Sequence, residues 1–382
     1  MIKKRDATIL QVLPRMQSGG VERGTIEITD AITKDGMRAI VASAGGQLIP
    51  HITHAGGTHI TLPLDSKKPW VIWKNAMALH GIIKAQKVDI IHARSRAPAW
   101  SAYFAAKWAG IPLVTTFHGI YGLQGPLKKR YNSVMVRGKR VIAVSEFVKH
   151  HILKNYAVDS DKITLIPRGV DFRTFAPDKV IPERLIQLTK QWRIPDEPRK
   201  IIFCPGRLSR IKGQHYLLEA LTALKDIPFL CILCGSDQGH ESYREELETI
   251  IRASNLEGSV RITEATNFMT EAYTLADIVV VPSLKPESFG RVAVEAQAMG
   301  KLVVATDHGG ARETIIANET GYLVPTDKPE ILTEAIRFGL TREQEVIHAM
   351  GEFAIAHVRE KFSVGRMKNA TITLYHDMLS YD

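Results

Sequence analysis

The chain has 382 residues, of which 45% are hydrophobic and 24% are charged. This composition is typical of a folded globular protein and excludes disordered and fibrous classes. The length exceeds that of one ordinary core and predicts two domains, each of roughly 150 to 200 residues, with a cleft between them.

Positive charge is concentrated in the first half of the chain. Residues 1–170 hold 25 Lys and Arg against 10 Asp and Glu, a balance of +15, whereas the remainder holds 25 against 30. The asymmetry predicts an anionic partner for the first half, although an ordinary solvated surface also explains it. A basic nucleic-acid-binding protein is a further alternative, but the sequence contains no recognised nucleic-acid motif.

The three cysteines, Cys204, Cys231 and Cys234, form a sparse and odd-numbered set that favours a reducing compartment. Cys231 and Cys234 have the C-x-x-C spacing, but the segment predicts a buried strand, in which positions i and i+3 face opposite ways. A shared metal or redox pair is therefore not expected. No other spacing of His, Cys or acidic residues predicts a zinc site.

The N-terminus does not resemble a signal peptide. Basic residues 3–5 precede a short apolar run that ends at Pro14. No segment approaches the eighteen or so apolar residues that a membrane span requires. We therefore predict a cytoplasmic protein whose membrane contact is peripheral.

Apolar runs without alternation are separated by helical patterns along the whole chain, as in strands that are buried on both faces of a parallel sheet. They predict strands at 8–13, 38–43, 88–92, 113–117, 140–144 and 163–166, then at 200–204, 229–234, 260–263, 278–281 and 302–305. The predicted fold is α/β, with two Rossmann-like doubly wound domains. Their predicted ranges are 1–178 and 199–363, with a proline-rich linker at 179–198 and a C-terminal helix, 364–382, that packs back on the first domain.

Ligands of such sheets bind at the carboxyl ends of the strands, so the turns that follow strands are the candidate sites. After the first strand, the loop Ser18-Gly19-Gly20 precedes a helix. Paired glycines allow backbone N–H groups to approach a phosphate, although a plain strand-to-helix turn has the same pattern. The loop lacks the G-x-G-x-x-G fingerprint of nicotinamide enzymes.

Two further turns carry polar side chains. His118 follows the strand 113–117 and stands beside a glycine, which favours a functional role over a structural one. Arg207 and Lys212 follow the first strand of the second series. These two cations are placed to neutralise a diphosphate leaving group, unless they are merely solvated.

The segment Pro286–Ala296 contains two glutamates eight residues apart. Pro286 and Gly290 keep Glu287 on a loop, and the apolar pattern that follows predicts a helix starting near 289–291, with Glu295 about one turn inside it. One carboxylate can accept hydrogen bonds from sugar hydroxyls and the other from a ribose diol, while free N–H groups at the helix start face a phosphate. Helix capping plus a surface glutamate explains the pattern equally well.

One acidic motif predicts no site. Asp159-Ser160-Asp161 has the D-x-D spacing that binds a metal in some sugar transferases. It precedes the strand 163–166, at the amino end of the sheet, and therefore predicts a turn.

Taken together, these residues resemble the large family 4 of retaining glycosyltransferases, which have the GT-B architecture. The resemblance covers nearly the whole chain. It is carried by the Gly19-Gly20 loop, Phe117-His118-Gly119, Val144-Ser145-Glu146, Ile166–Asp171, Gly206-Arg207 with Lys212, the Glu287/Glu295 pair and Asp307–Glu313. Arg168 departs from the family, in which many members carry asparagine at this position.

The resemblance implies transfer of a sugar from a nucleotide diphosphate to an acceptor, with retention of anomeric configuration and without a metal or dissociable cofactor. It implies that Arg207 and Lys212 hold the diphosphate, together with Gly19 and Gly20. It also implies that His118 contacts the sugar and its departing phosphate, which itself accepts the acceptor's proton. The donor sugar and nucleotide are assigned to Glu287, Ser288, Phe289, Gly290 and Glu295, and the catalytic roles to His118 and Glu287.

In the first domain, the segment His92–Trp100 follows a strand and resembles transferases of the Gram-negative lipopolysaccharide core, some of which are mannosyltransferases. Arg94 and Arg96 are its candidate acceptor contacts, and an anionic glycolipid is the implied acceptor. A segment that opens with Lys67, Lys68 and two tryptophans mixes basic and aromatic residues as interfacial helices do, which favours contact with the cytoplasmic face of the inner membrane. A nucleotide-sugar epimerase or hydrolase of the same fold is the alternative, whereas a phosphorylase would need a pyridoxal-phosphate lysine that we do not find.

Overall fold

The computed structural model describes residues 7–17, 19–224, 226–237, 239 and 241–380; residues 3–5 and Ser18 lie outside this range. The chain divides into two compact units, Met1–Arg168 with Val364–Asp382, and Gly169–Ser363. The division therefore falls ten residues before the predicted boundary at 178. The stretch 179–198, predicted as a linker, lies within the second unit, where Leu188 and Trp192 are buried in its core. The prediction weighed the prolines of this stretch and overlooked its apolar positions.

Parallel strands alternate with helices in both units. The strands are β1 (Thr8–Val12), β2 (Arg38–Ser43), β3 (Thr58–Thr61), β4 (Ile90–Ala93), β5 (Leu113–Phe117), β6 (Arg140–Ala143), β7 (Ile163–Leu165), β8 (Lys200–Pro205), β9 (Phe229–Cys234), β10 (Val260–Thr263), β11 (Ile278–Val281), β12 (Leu302–Thr306) and β13 (Gly321–Val324). The helices are α1 (Gly20–Lys34), α2 (Ile49–His54), α3 (Pro69–Gln86), α4 (Arg96–Ala109), α5 (Pro126–Asn132), α6 (Glu146–Asn155), α7 (Pro182–Gln191), α8 (Gln214–Leu221), α9 (Glu241–Ala253), α10 (Met269–Leu275), α11 (Arg291–Ala298), α12 (Ala311–Thr314), α13 (Pro329–Thr341), α14 (Gln344–Lys361) and α15 (Val364–Ser380).

The two sheets have the same winding. Among the described residues, the first sheet has the order β3-β2-β1-β4-β5-β6-β7 and the second has the order β10-β9-β8-β11-β12-β13. Each starts in its middle, winds outward to one edge and then returns to extend the other, which is the Rossmann arrangement that the sequence predicts. The predicted doubly wound α/β fold is confirmed for both units.

Each sheet is covered by a hydrophobic core on both faces. In β1, Ile9 and Leu10 point to opposite faces and into different cores. Helix α15 closes one face of the first sheet, where Tyr375 is buried against the core that also contains Ile28 and Ile32 of α1. In the second unit, Cys231 and Cys234 lie in opposite cores, as the period of a strand requires.

Along the described part of the chain, no helix has the length and apolar character needed to cross a membrane.

Candidate active site

The glycine loop of the first unit forms the start of α1. Gly19 is the residue before the helix and has φ 131°, a backbone conformation that favours glycine. A Cβ at Gly19 would also lie 2.8 Å from Oε2 of Glu22. The sequence therefore needs glycine here for the backbone of the turn itself, whatever the turn binds.

Arg168 joins this loop to the predicted histidine. Its guanidinium contacts Nδ1 of His118 at 2.8 Å and donates a second hydrogen bond to the carbonyl oxygen of Gly20. The side chain is buried, with 7% of its surface exposed. A Cβ at Gly24 would lie 2.9 Å from the guanidinium, so this glycine provides the space that Arg168 occupies.

His118 follows β5 and has one ring nitrogen available. Its Nε2 atom is buried and has no hydrogen-bond partner among the described residues. Burial, reinforced by the positive charges of Arg168 and Arg94, holds the pKa of His118 well below its usual value. The imidazole is therefore neutral at physiological pH. Next to it lies a small cavity of about 20 Å³, lined in part by His92 and Thr116.

The two candidate acceptor arginines have partners within the protein. Arg94 is 4% exposed, and its Nε and Nη2 atoms donate to Oε1 of Gln11 at 2.8 and 2.5 Å. Arg96 donates to Oδ1 of Asn132 at 3.0 Å and lies over the ring of Tyr121, 4.4 Å from its centroid. Arg94 thus belongs to a buried polar network of the sheet and does not face solvent. Only the half-buried Arg96 keeps the acceptor role as a hypothesis.

The second unit brings Lys212 and Glu287 together. Lys212 ends a short turn after β8, and Glu287 lies on the loop between β11 and α11. The Oε1 atom of Glu287 is 2.5 Å from Nζ of Lys212. Ser283 donates to the same oxygen at 2.6 Å. Burial alone would raise the pKa of Glu287, but the Lys212 ammonium, with Ser283 and His308, holds it below its usual value. The carboxylate is therefore ionised and paired.

A neighbouring turn fixes the loop that carries Glu287. The N–H of Gly310 donates to the carbonyl oxygen of Glu287 at 2.8 Å. A Cβ at Gly310 would lie 2.5 Å from the backbone of Phe289. A Cβ at Gly309, where φ is 59°, would lie 2.5 Å from the Glu287 carbonyl oxygen. His308 of the same turn contacts the Ser283 carbonyl oxygen through Nε2 at 2.7 Å. The two glycines therefore allow this turn to pack on the Glu287 loop.

Sequence reasoning did not single out Ser283 or the individual role of His308. The Asp307–Glu313 segment entered only through its resemblance to a family motif. A serine four residues before Glu287, at the carboxyl end of β11, was the available signal, because that edge of the sheet is where polar ligands of the site are expected.

Helix α11 begins at Arg291, after Gly290 with φ 88°, in agreement with the predicted start. Glu295 lies one turn inside it and is 7% exposed; it accepts from the Tyr273 hydroxyl at 3.1 Å and pairs with Arg291 at 3.2 Å. Ser288 is half-buried on the preceding loop, whereas Phe289 is a core residue. A ligand would meet Phe289 through its backbone only.

Arg207 is exposed in the turn after β8. Its carbonyl oxygen accepts from Nε2 of Gln214 at 3.1 Å, which ties the turn to α8. Gly206 and Gly235 pass close together, since a Cβ at Gly235 would lie 2.0 Å from the Gly206 carbonyl oxygen. This contact holds the turn at the carboxyl end of the sheet.

The acidic motif at 159–161 lies immediately before β7, partly in a short 3₁₀ turn, at the amino end of the sheet. Within the described ranges, no group of three or more His, Cys, Asp or Glu residues could hold a metal ion.

Two family models together match most of the chain. Residues 18–173 match the model "Glycosyltransferase Family 4", and residues 187–357 match "Glycosyl transferases group 1". These matches follow the two units and include the glycine loop, His118, Lys212 and Glu287.

Known proteins show the same likeness. A solved glycosyltransferase from Rickettsia africae is 39% identical and superposes with a TM-score of 0.92, over 99% of this chain and all of that one. A D-inositol 3-phosphate glycosyltransferase from Corynebacterium glutamicum is 26% identical over 76% of this chain and 73% of its own length. The Anabaena protein HepE, solved with UDP-glucose, shares the fold with a TM-score of 0.82 at 22% identity, over 97% of this chain and 99% of its own. The chain is therefore a nucleotide-sugar-dependent glycosyltransferase with the GT-B fold, and it belongs to the glycosyltransferases that the family 4 and group 1 models describe.

Proposed function

We propose that this enzyme transfers a hexose from a nucleoside diphosphate sugar to an anionic glycolipid, with retention of anomeric configuration, in lipopolysaccharide core biosynthesis. The pairing of Lys212 with Glu287 carries the proposal. A lysine and an ionised carboxylate, fixed by Ser283 at the carboxyl ends of β8 and β11, supply the two kinds of group that a diphosphate and a sugar need.

Each residue is assigned a step in the reaction. The bond between the anomeric carbon and the diphosphate oxygen breaks, and negative charge develops on the leaving phosphate. Arg207 and Lys212 neutralise that charge, assisted by backbone N–H groups at Gly19 and Gly20. The leaving phosphate takes the proton of the acceptor hydroxyl as the new glycosidic bond forms, so no protein general base is assigned.

The carboxylates and the imidazole position the donor. Glu287 accepts hydrogen bonds from hydroxyls of the sugar, and Glu295 accepts from the ribose diol after exchanging one of its protein partners. His118, neutral and with an Nε2 atom that has no partner among the described residues, donates to the sugar or its phosphate. Ser288 and Gly290 contribute backbone N–H groups at the start of α11. Mannose is our first candidate sugar, and HepE with UDP-glucose makes uridine the first nucleotide to test.

An anionic acceptor is supported by the charge of the first unit. Residues 66–145 contain 14 Lys and Arg and a single carboxylate, Asp89. The Corynebacterium relative is named for D-inositol 3-phosphate, which is itself anionic. Phosphates and acidic sugars of a lipopolysaccharide core present the same kind of charge to this surface.

Contact with an anionic bilayer is supported by an aromatic surface on α3 and α4, formed by Trp70, Trp73, Met77 and Trp108. These side chains are 62%, 50%, 51% and 39% exposed. Trp73 packs edge-to-face on Trp108, with ring centroids 5.0 Å apart. Exposed lysines border the aromatic surface, and neither helix contains Asp or Glu. The lysines are Lys67, Lys68, Lys74 and Lys107. Amphipathic aromatic rings beside basic side chains are typical of proteins that bind the interface of an anionic membrane.

The transfer reaction is tested by incubating purified protein with labelled UDP-, GDP- and ADP-sugars, with and without lipopolysaccharide from a strain that lacks this protein. We expect product only when the acceptor is present, and none from Glu287→Ala or Lys212→Ala that remain folded. Donor turnover that is equally fast without acceptor would instead indicate an epimerase or hydrolase. Transfer to inositol phosphate in place of lipopolysaccharide would replace the proposed acceptor.

Membrane contact is tested separately, by sedimentation with vesicles of phosphatidylcholine alone or mixed with phosphatidylglycerol. Trp70→Ala with Trp73→Ala should reduce binding to the anionic vesicles at least tenfold. Ile186→Ala, at a 56% exposed position of the second unit, is the matched control. Lys67→Glu with Lys68→Glu should also weaken binding and spare turnover on a soluble acceptor. Equal partition of all four proteins would refute the aromatic surface as a docking site.

A further inference from the structure

We propose that Arg168 is a positioning residue that holds His118 neutral, with its only proton on Nε2, and thereby makes the histidine a fixed hydrogen-bond donor. The role of His118 in transfer rests on the proposed function above. The arrangement of Arg168 and His118 does not, because it is a property of the first unit alone.

The direction of the hydrogen bond fixes the tautomer. A guanidinium carries only N–H donors, so Nδ1 of His118, 2.8 Å from Arg168, must accept through its lone pair. In a neutral imidazole the remaining nitrogen, Nε2, then carries the proton. That N–H is buried and has no partner among the described residues. A buried donor without a partner is costly, so its presence points to an acceptor supplied by a ligand.

The surroundings of His118 oppose the imidazolium form. Arg168, which follows β7, and Arg94, which follows β4, are the cations near it, and His92 of β4 is a further neighbour. His92 bonds to Thr116 and to the Tyr375 hydroxyl of α15. Two acidic groups of α1 lie on this side: Glu22 interacts with Arg168, and Glu27 interacts with Arg94. With Nδ1 occupied by a cationic donor, His118 cannot accept a second proton without losing that hydrogen bond.

Arg168 also couples the imidazole to the glycine loop. The same guanidinium donates to the carbonyl oxygen of Gly20, the first residue of α1. A single rigid group therefore sets the position of both the histidine and the turn proposed to contact the diphosphate. An asparagine at this position would be shorter, would have a single amide donor group and would carry no charge. The arginine of this chain thus adds a charge-dependent control of His118.

The direct test is ¹⁵N NMR of the histidine ring nitrogens in the full-length protein, with His118 assigned by comparison with His118→Gln. We expect Nδ1 to be unprotonated and Nε2 to be protonated from pH 8 to pH 6, with no titration of this ring. A proton on Nδ1, or titration of His118 near its ordinary pKa of about 6.5, would overturn the proposal. This measurement needs no donor or acceptor, so it stands or fails independently of the proposed transfer reaction.

Arg168→Met tests the consequence for catalysis. Between pH 8 and pH 6 the kcat of the native enzyme should change less than about twofold. In the variant the neutral ring can carry its proton on either nitrogen, so kcat at pH 8 should lie below the native value and should rise toward pH 6, because the imidazolium always carries a proton on Nε2. Arg168→Lys, which keeps the charge and a donor, should restore most of the flat profile. If the methionine variant has the native pH profile, or only a changed KM, Arg168 has a structural role alone.

Gly24→Ala supplies a second variant in case Arg168→Met does not fold. A methyl group there would lie 2.9 Å from the guanidinium and displace it from His118. We expect the same pH-dependent kcat and the same ¹⁵N change as in Arg168→Met, with Arg168 still present. A native spectrum and pH profile in this variant would contradict the proposal.

Discussion

The pairing of Lys212 with Glu287 predicts that removing the carboxylate will strengthen nucleotide binding and abolish transfer. In this structure the Glu287 carboxylate forms an ion pair with the Lys212 ammonium, which is the group that we assign to the diphosphate. Glu287→Gln removes the competing charge, so Lys212 should bind a nucleoside diphosphate more tightly. Lys212→Met removes the cation and should weaken the same binding. Both variants should lose transfer, because Glu287 is also assigned to the sugar and Lys212 to the charge of the leaving diphosphate.

The magnitude follows from the geometry of the pair. The two side chains are 27% and 20% exposed and the Nζ–Oε1 distance is 2.5 Å. A solvent-exposed pair contributes at most about 1 kcal/mol, whereas a hydrogen bond to a charged group contributes about 1.5 to 3 kcal/mol. We therefore expect a coupling free energy near 1.5 kcal/mol. This corresponds to about a tenfold gain in nucleoside diphosphate affinity for Glu287→Gln and a loss of at least that size for Lys212→Met.

Stability is measured by a double-mutant cycle in urea. Trp192 is buried in the second unit, and Trp70, Trp73, Trp100 and Trp108 lie in the first. In a background with those four replaced by Phe, the fluorescence of Trp192 reports unfolding of the second unit. Affinity for UDP, GDP and ADP is measured by calorimetry on the same proteins.

The pH dependence provides an internal check. The pKa of Glu287 in the folded protein is lower than in the unfolded chain, so the coupling is fully present above the unfolded value and is lost only as pH falls through the folded one. The cycle should therefore give the same coupling at pH 7.5 and pH 5.5. A coupling below about 0.5 kcal/mol at pH 7.5, together with unchanged nucleotide affinity in Glu287→Gln, would refute the reasoning.

Three further predictions concern the fold. Gly213→Ala should lower the stability of the second unit by more than about 2 kcal/mol, because φ is 71° and the new Cβ would lie 1.9 Å from the Pro282 carbonyl oxygen. Thermal unfolding tests this prediction, and Gly258→Ala is the control, since a Cβ there would have no atom within 4 Å. Burial lowers the pKa of His92, so the unfolded chain binds more protons below pH 6.5, and this group alone should cost the first unit up to about 1.4 kcal/mol of stability per pH unit there. His92→Gln should reduce the dependence of the urea midpoint on pH and leave the part that His118 contributes. Burial raises the pKa of Cys204 to about 12, and all three thiols are buried, so native protein should not react with a thiol reagent at pH 8 until urea unfolds it.

The sequence pattern predicted the interior of both sheets and missed an edge strand in each. Every strand predicted from a buried apolar run is present, with ends shifted by at most two residues. The missed strands are β3 and β13, at the outer edges. β3 reads Thr-His-Ile-Thr and is largely exposed, so it lacks the apolar run that marks a strand with two covered faces. Pairing with β2 makes it a strand, and that long-range contact leaves no local pattern.

The site was predictable at the level of which turns carry it, and less so at the level of partners. The position of Glu287 on a loop and of Glu295 inside a helix followed from Gly290 and the apolar spacing. The partners His308 and Arg168 follow other strands, so only the folded chain reveals them, whereas Ser283 lies four residues before Glu287 and could have been noticed. Arg94 shows the converse error, because a charged residue after a strand suggested an exposed contact, whereas Gln11 in the middle of β1 provides a buried partner for it.

The two units use one physical device with opposite results. In the first unit, burial lowers the pKa of His118, and the cation Arg168, which contacts the imidazole, lowers it further. In the second, the cation Lys212 contacts Glu287 and keeps the carboxylate charged despite its burial. The pKa of each proposed functional group is thus lowered, so that each group keeps one protonation state near neutral pH. Since neither group titrates between pH 6 and pH 8, the pH dependence of transfer in that range should follow the leaving phosphate or the acceptor, and not these side chains.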